Sequence, residues 1–262
     1  MLGKLLKYEF KATSRTFVPL YIALVLVAII NNLFMTNDIS FGFGIMIMIM
    51  VGLFIALGVL TLVVLIQRFN KNLLGDEGYL MFTLPVKPYQ LILSKLLITV
   101  FWTIISGIIA IITFIILVGG FNFTFIKEFF TVLFTQMDVI SNAIGTAMQE
   151  EAFRQALVMM ITFCFIALFT YVGSILEIYL ALSIGQLPVF SKHRGITAFV
   201  AFFVINSILQ MLVMFVGGTF MHTFSILSPG MLCTLGILGS LLVDVILFFI
   251  INYILNKHLN LE

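Results

Sequence analysis

The chain has 262 residues, of which 62% are hydrophobic and only 9% are charged, and its formal net charge is +2. Its mean hydropathy is +1.25. A soluble domain of this length cannot bury so much apolar surface, so the composition excludes a soluble globular protein and predicts an all-α, polytopic membrane protein. The small net charge carries little information by itself, and we expect no nucleic-acid partner.

Residues 1–16 predict a short amphipathic helix that lies in the membrane interface. Its apolar and basic side chains fall on nearly opposite faces at 100° per residue. The two groups are Leu2, Leu5, Leu6 and Phe10, and Lys4, Lys7, Lys11 and Arg15. Glu9 interrupts the pattern within the apolar sector. The alternative interpretation is a basic tail that only sets the topology.

Six apolar runs are each close to the ~20 residues that a helix needs to cross the hydrocarbon core. They are 17–34, 43–66, 96–118, 157–184, 196–217 and 231–255. We therefore expect one transmembrane domain over 1–262 with six spans.

The distribution of basic residues predicts the orientation of these spans. With the amino terminus inside, the cytoplasmic side holds Lys4, Lys7, Lys11, Arg15, Arg68, Lys71, Lys87, Lys95, Lys192, Arg194 and Lys257. The outer side holds Lys127 and Arg154. By the positive-inside rule, both termini are expected in the cytoplasm and the protein in the plasma membrane.

Two connecting segments carry most of the remaining polar residues. The cytoplasmic loop 67–95 contains Gly75-Asp76-Glu77-Gly78, an apolar stretch over 79–84, and two prolines before the third span. Glycines and prolines at these positions predict a short helix across the membrane surface. The segment 121–156 is the expected extracellular segment, with an apolar stripe at helical spacing. Its role as a packing element or as a substrate gate is left open.

Several chemistries have no sequence signature in this chain. No G-x-x-x-x-G-K-[ST] phosphate loop is present, so no ATP site of that type is expected. The cluster Glu150-Glu151-Ala152-Phe153-Arg154 is similar to the Glu-Glu-x-x-x-Arg motif of intramembrane proteases, but its arginine comes one residue too early. A solvated helix start is the favoured interpretation of this cluster, and a protease is a remote alternative. No spacing of histidine, cysteine and acidic residues suggests a metal site.

Acidic residues within the spans are candidate functional residues, because a charge inside the membrane is costly. Asp244 lies near the middle of the sixth span, and we expect Asn206 and Gln210 on the fifth span to be its partners. Glu177 lies near one end of the fourth span. A structural polar clamp is the favoured interpretation for both acids, over a role in binding substrate or moving protons.

The order of these parts resembles the permease subunits of type-2 ABC transporters, exporters with the type V (ABCG-like) fold. The resemblance covers the whole chain. Its most specific residues are the loop FNKNLLGDEGYLMFTLPV over 69–86 and the opening KYEFK over 7–11, which are similar to those of small permeases from Gram-positive bacteria. In that pattern the main outer helices precede the sixth span, whereas here the long outer segment precedes the fourth.

The resemblance implies a function outside catalysis. A connecting helix would precede the first span, and a coupling helix over 72–84 would sit in a groove of a cytosolic ATPase. The coupling residues carried over by position are Leu73, Leu74, Gly75, Asp76, Glu77, Gly78, Tyr79 and Phe82. Two ATPase copies would bind ATP and Mg²⁺, so no cofactor is expected in this chain. A second permease, identical or related, would complete the pore within the lipid bilayer.

The expected substrate is hydrophobic or amphipathic, such as an antimicrobial peptide or a lipid-like compound, and the expected direction is export. A membrane sensor or immunity module, coupled to an ATPase without net transport, is the first alternative function.

Overall fold

A computed structural model describes residues 2–36, 40–74, 87–119, 145–187, 193–219 and 229–257, together with the isolated residues 131, 135, 139, 142 and 190. The predicted residues Gly75–Phe82 lie outside this described part, as does most of the segment 121–156. The predictions made for them stay predictions.

Long α-helices make up nearly all of the described chain. They are α1 (Leu2–Thr36), α2 (Ser40–Phe69), α3 (Pro88–Gly119), α4 (Glu151–Gly185), α5 (Arg194–Thr219) and α6 (Pro229–Lys257). Each contains one of the six predicted spans and is long and apolar enough to cross a membrane. The protein is therefore an all-α, multi-pass membrane protein, as its composition predicts.

The helix α1 is one continuous helix of 35 residues, with Pro19 inside it. The sequence predicts a separate interfacial helix over 1–16, but the helix has no break at the boundary with the first span. A single side chain on α3, Trp102, contacts α1 on both sides of this boundary. Its indole Nε1–H donates a hydrogen bond to Thr13 Oγ1 at 2.7 Å, and its ring stacks on Phe17 at 5.1 Å.

The contacts between Cα atoms divide the chain into two compact units, and residues 1–65 and 97–147 form the first. Its core is a cluster of buried side chains from α1, α2 and α3 around Trp102. Tyr21 adds a polar contact within it, since its hydroxyl lies 2.7 Å from Ser106 Oγ. Glu9 is buried, which agrees with its predicted position on the apolar face of α1.

Residues 66–96 and 148–262 form the second unit. Within it, α4 packs against both α5 and α6. Both α3 and α4 begin several residues before the predicted spans at 96 and 157, because hydropathy reports how much helix crosses the hydrocarbon core and not where the helix starts. Pro88 is the first residue of α3, a position where the missing N–H of proline has no cost.

Candidate functional site

The residues that lead into the predicted coupling segment are fixed to α4 by an aromatic contact. Phe69 ends α2, and its ring stacks on the ring of Tyr179 with centroids 3.9 Å apart and an interplanar angle of 11°. Neither side chain is exposed. Stacked aromatic pairs contribute energy beyond the area that they bury, so this contact holds the end of α2 against α4.

A π-helical turn over Asn70–Leu74 continues directly from α2. Leu73 and Leu74 are buried within the second unit, although the sequence assigns them to the ATPase contact. A side chain that is already buried against its own chain is not available to a partner, so the structure corrects the assignment of these two residues. Gln186, just after α4, donates a hydrogen bond from Nε2 to Asn70 Oδ1 at 3.5 Å. The start of the turn is thus held by a residue that directly follows α4.

The remaining predicted coupling residues, Gly75, Asp76, Glu77, Gly78, Tyr79 and Phe82, lie outside the described residues. The described chain resumes at Lys87, whose carbonyl oxygen accepts a hydrogen bond from the Gln90 amide at 2.9 Å in the first turn of α3. Both flanks of the coupling segment, 66–74 and 87–96, belong to the same compact unit as α4, α5 and α6.

A second polar group joins α4 to α5. Asn206 Nδ2 donates to Glu177 Oε2 at 3.2 Å, and Gln210 Nε2 donates to Asn206 Oδ1 at 2.7 Å. The sequence predicts that these two amides would serve Asp244 on α6, and this prediction is wrong. The hydropathy pattern gives the depth of a side chain along its helix but not the direction in which it points. Asn206 points at α4, and Gln210 bonds to Asn206 on its own helix.

Asp244 instead lies against α4 at a position without a side chain. A Cβ atom added to Gly173 would lie 2.7 Å from Asp244 Oδ1, so any larger residue here would require the carboxylate to shift. Asp244 is 8% exposed, and its Oδ2 has no hydrogen-bond partner among the described residues. A charge at the centre of a bilayer costs about 2.5–3.5 kcal/mol on insertion scales, and a clamp that offsets this cost would show such a partner. The interpretation of Asp244 as a polar clamp between α5 and α6 is therefore not supported.

A cavity of about 530 Å³ lies between α4, α5 and α6. Its walls are mainly aliphatic side chains of α5 and α6, and its polar side chains are Thr170, Glu177, Ser240 and Asp244. Gly173, Gly236 and Gly239 also line it, and a Cβ atom at Gly239 would meet nothing within 4 Å. Both acids are predicted from the sequence as candidate functional residues, but the glycines are not. The spacing of Gly173, one helical turn before Glu177, is the available signal.

The part of the chain that the structure describes contains no group of three or more histidine, cysteine, aspartate or glutamate side chains that could hold a metal ion. Glu150 is the N-cap of α4, and Glu151 and Arg154 are exposed residues of its first turn. The acidic cluster is therefore a solvated helix start, as the sequence analysis favours.

Comparison of this chain with protein-family models, with curated proteins and with solved structures finds no match.

Proposed function

We propose that this protein is the membrane-spanning permease subunit of an ATP-driven exporter. It acts as one of two permeases, identical or related, and a separate cytosolic ATPase of the ABC type provides the energy. The chain has the six spans and the basic loop between the second and third spans that such a subunit needs. It has no phosphate-binding loop of its own, so ATP and Mg²⁺ bind to the partner.

One observation carries the proposal: the base of the predicted coupling segment is fixed to α4. The stacked pair Phe69–Tyr179 and the hydrogen bond between Gln186 and Asn70 join the end of α2 to the end of α4. A coupling segment that moves with the ATPase must be connected to a helix that crosses the membrane. In this chain the connected helix, α4, also lines the cavity between α4, α5 and α6.

The proposed mechanism follows from this connection. ATP binding brings the two ATPases together and displaces the coupling segments. The stacked pair transmits the displacement to α4, which packs against both α5 and α6. A ligand with different affinities for two arrangements of these helices is then carried from one side to the other.

A pull-down experiment tests the contact with the ATPase. In the Tyr79→Ala, Phe82→Ala double variant, recovery of the ATPase from native membranes should fall sharply, since an interface anchor typically contributes ~2 kcal/mol or more. The matched control is Phe153→Ala, which removes a partly exposed aromatic ring from the first turn of α4, on the side predicted to be extracellular. Unchanged recovery of the ATPase with the double variant would refute the assignment.

A membrane sensor or immunity module would need the same ATPase contact but no net transport. Inverted vesicles that contain the purified complex distinguish the two functions. An exporter accumulates substrate inside these vesicles when ATP is supplied, and a sensor hydrolyses ATP without accumulation.

A further inference from the structure

The cavity between α4, α5 and α6 combines an apolar wall with an acidic face. Its wall includes Leu209, Leu212 and Val213 of α5 together with Leu232 and Leu235 of α6. Asp244 of α6 also lines the cavity and lies beside Gly173 of α4, and Glu177 follows one helical turn later on the same face of α4. A ligand in this cavity therefore meets a large apolar surface and two carboxyl groups.

Asp244 is the more informative of the two carboxyl groups. Only 8% of its surface is exposed, and it lines the cavity. Its Oδ2 has no hydrogen-bond partner in the described part of the chain. Buried polar atoms almost always have a partner, and those without one call for an explanation such as an absent ligand or ion. Glu177 differs, because Asn206 already donates to its Oε2.

The helices around the cavity supply no positive charge at this level. Their basic residues are Arg154 on α4, Arg194 on α5 and Lys257 on α6, and all three lie near a helix end. A helix rises about 1.5 Å per residue. Each basic residue is therefore about 18 Å or more, along its own helix, from the polar residue on that helix, which is Glu177 on α4, Asn206 on α5 and Asp244 on α6. The two carboxyl groups therefore make this apolar cavity selective for a positive charge.

We propose that this cavity binds a small hydrophobic cation, with the charged group beside Asp244 and Glu177 and the apolar body along the side chains of α5 and α6. The cavity volume of about 530 Å³ is within the range of sites for drug-sized molecules. The role of the cation as the transported substrate rests on the proposed function, whereas its binding does not.

Equilibrium binding of two probes of the same shape and opposite charge tests the proposal. The full-length protein is placed in nanodiscs of phosphatidylcholine, without an ATPase, and titrated with tetraphenylphosphonium or tetraphenylborate. Empty nanodiscs measure how much of each probe enters the lipid. We expect saturable binding of the phosphonium above this level and none of the borate.

Two independent variants locate the site. Asp244→Asn keeps the size of the side chain and removes the charge, so affinity for the phosphonium should fall at least about tenfold. Gly239→Leu fills space that is open in the cavity, and should abolish binding while the protein still folds. The controls are Glu151→Gln, an exposed acid at the start of α4, and Gly230→Leu, a glycine on α6 that also has open space but lies outside the cavity.

Equal binding of both probes, or full affinity in both Asp244→Asn and Gly239→Leu, would overturn the proposal. Since Gly239→Leu leaves every carboxyl group in place, the test holds even if Asp244→Asn fails to assemble. The proposed exporter function and the proposed cation site are refuted by different results. Binding of the phosphonium without recovery of any ATPase would refute the exporter, and recovery of the ATPase without binding would refute the cation site.

Discussion

Phe69 and Tyr179 lie parallel and in contact, with ring centroids 3.9 Å apart, although 110 positions separate them in the chain. The pair joins the end of α2 to α4 at the point where the chain enters the predicted coupling segment. Any force applied to that segment reaches α4 first through this contact. Variants of this pair are therefore well placed to separate effects on protein stability from effects on the transmission of movement to α4.

A double-mutant cycle measures the Phe69–Tyr179 contact. Each ring is fully buried, so Phe69→Ala and Tyr179→Ala should each lower the free energy of unfolding by about 3–5 kcal/mol. The two losses should not add, with a coupling energy of about 0.5–1.5 kcal/mol. Unfolding in mixed micelles measures all three variants. The control is Tyr253→Ala on α6, where the ring is 53% exposed and the loss should be small. Additive losses would show that the stacked rings do not interact.

The hydrogen bond between Trp102 and Thr13 joins α3 to the amino-terminal part of α1. Trp102→Phe retains an aromatic ring for stacking but removes the Nε1–H donor, and Thr13→Val removes the acceptor at nearly the same size. Each should lower the free energy of unfolding by about 0.5–1.5 kcal/mol. Their combination should cost little more than either alone, because the second substitution removes a partner that is already absent.

Ser14→Ala is the control for this cycle. Ser14 is the next residue on α1, and its hydroxyl donates to the Lys11 carbonyl within the same helix at 3.0 Å. Loss of this hydrogen bond should lower the free energy of unfolding much less than Thr13→Val does. If Ser14→Ala is as destabilising as Thr13→Val, the effect comes from the helix itself and not from the contact with α3.

Gly185 allows the last turn of α4 to approach the start of α5. A Cβ atom at this position would lie 2.7 Å from the Arg194 carbonyl oxygen, a backbone atom that cannot move aside cheaply. Gly185→Ala should therefore destabilise the protein, by about 1–3 kcal/mol. Gly195→Ala, on the first turn of α5, meets nothing within 4 Å and should be neutral or stabilising by up to ~1 kcal/mol. If the melting temperature of Gly185→Ala is not lower than that of Gly195→Ala, the close approach is contradicted.

The predicted orientation is tested by cysteine labelling in a background without Cys164 and Cys233. An impermeant reagent applied to intact cells should label Ser141→Cys and not Asn72→Cys, because the basic residues place 121–156 outside and 67–95 inside. Asn72→Cys should become labelled after the membrane is opened. The reverse pattern would place the predicted coupling segment outside the cell, where no ATPase can reach it.

The sequence by itself determined the number and the approximate position of the membrane helices. Six apolar runs of sufficient length predict six helices, since in lipid every backbone N–H and C=O group must be paired and a helix pairs them within its own segment. The same pattern identified Asp244 and Glu177 as acids within the membrane helices and the cluster from Glu150 to Arg154 as a helix start. These inferences depend only on composition along the chain.

The tertiary structure decided which side chains meet. The sequence paired Asp244 with Asn206 and Gln210 by depth, but depth does not fix the rotation of a helix about its axis. Asn206 bonds to Glu177, Gln210 bonds to Asn206, and Asp244 lies beside Gly173. In the same way, hydropathy set a boundary between residues 16 and 17, whereas α1 is continuous across it and packs on Trp102 from both sides. Apolar patterns specify what is buried, and only the packing of one helix on another specifies against which partner.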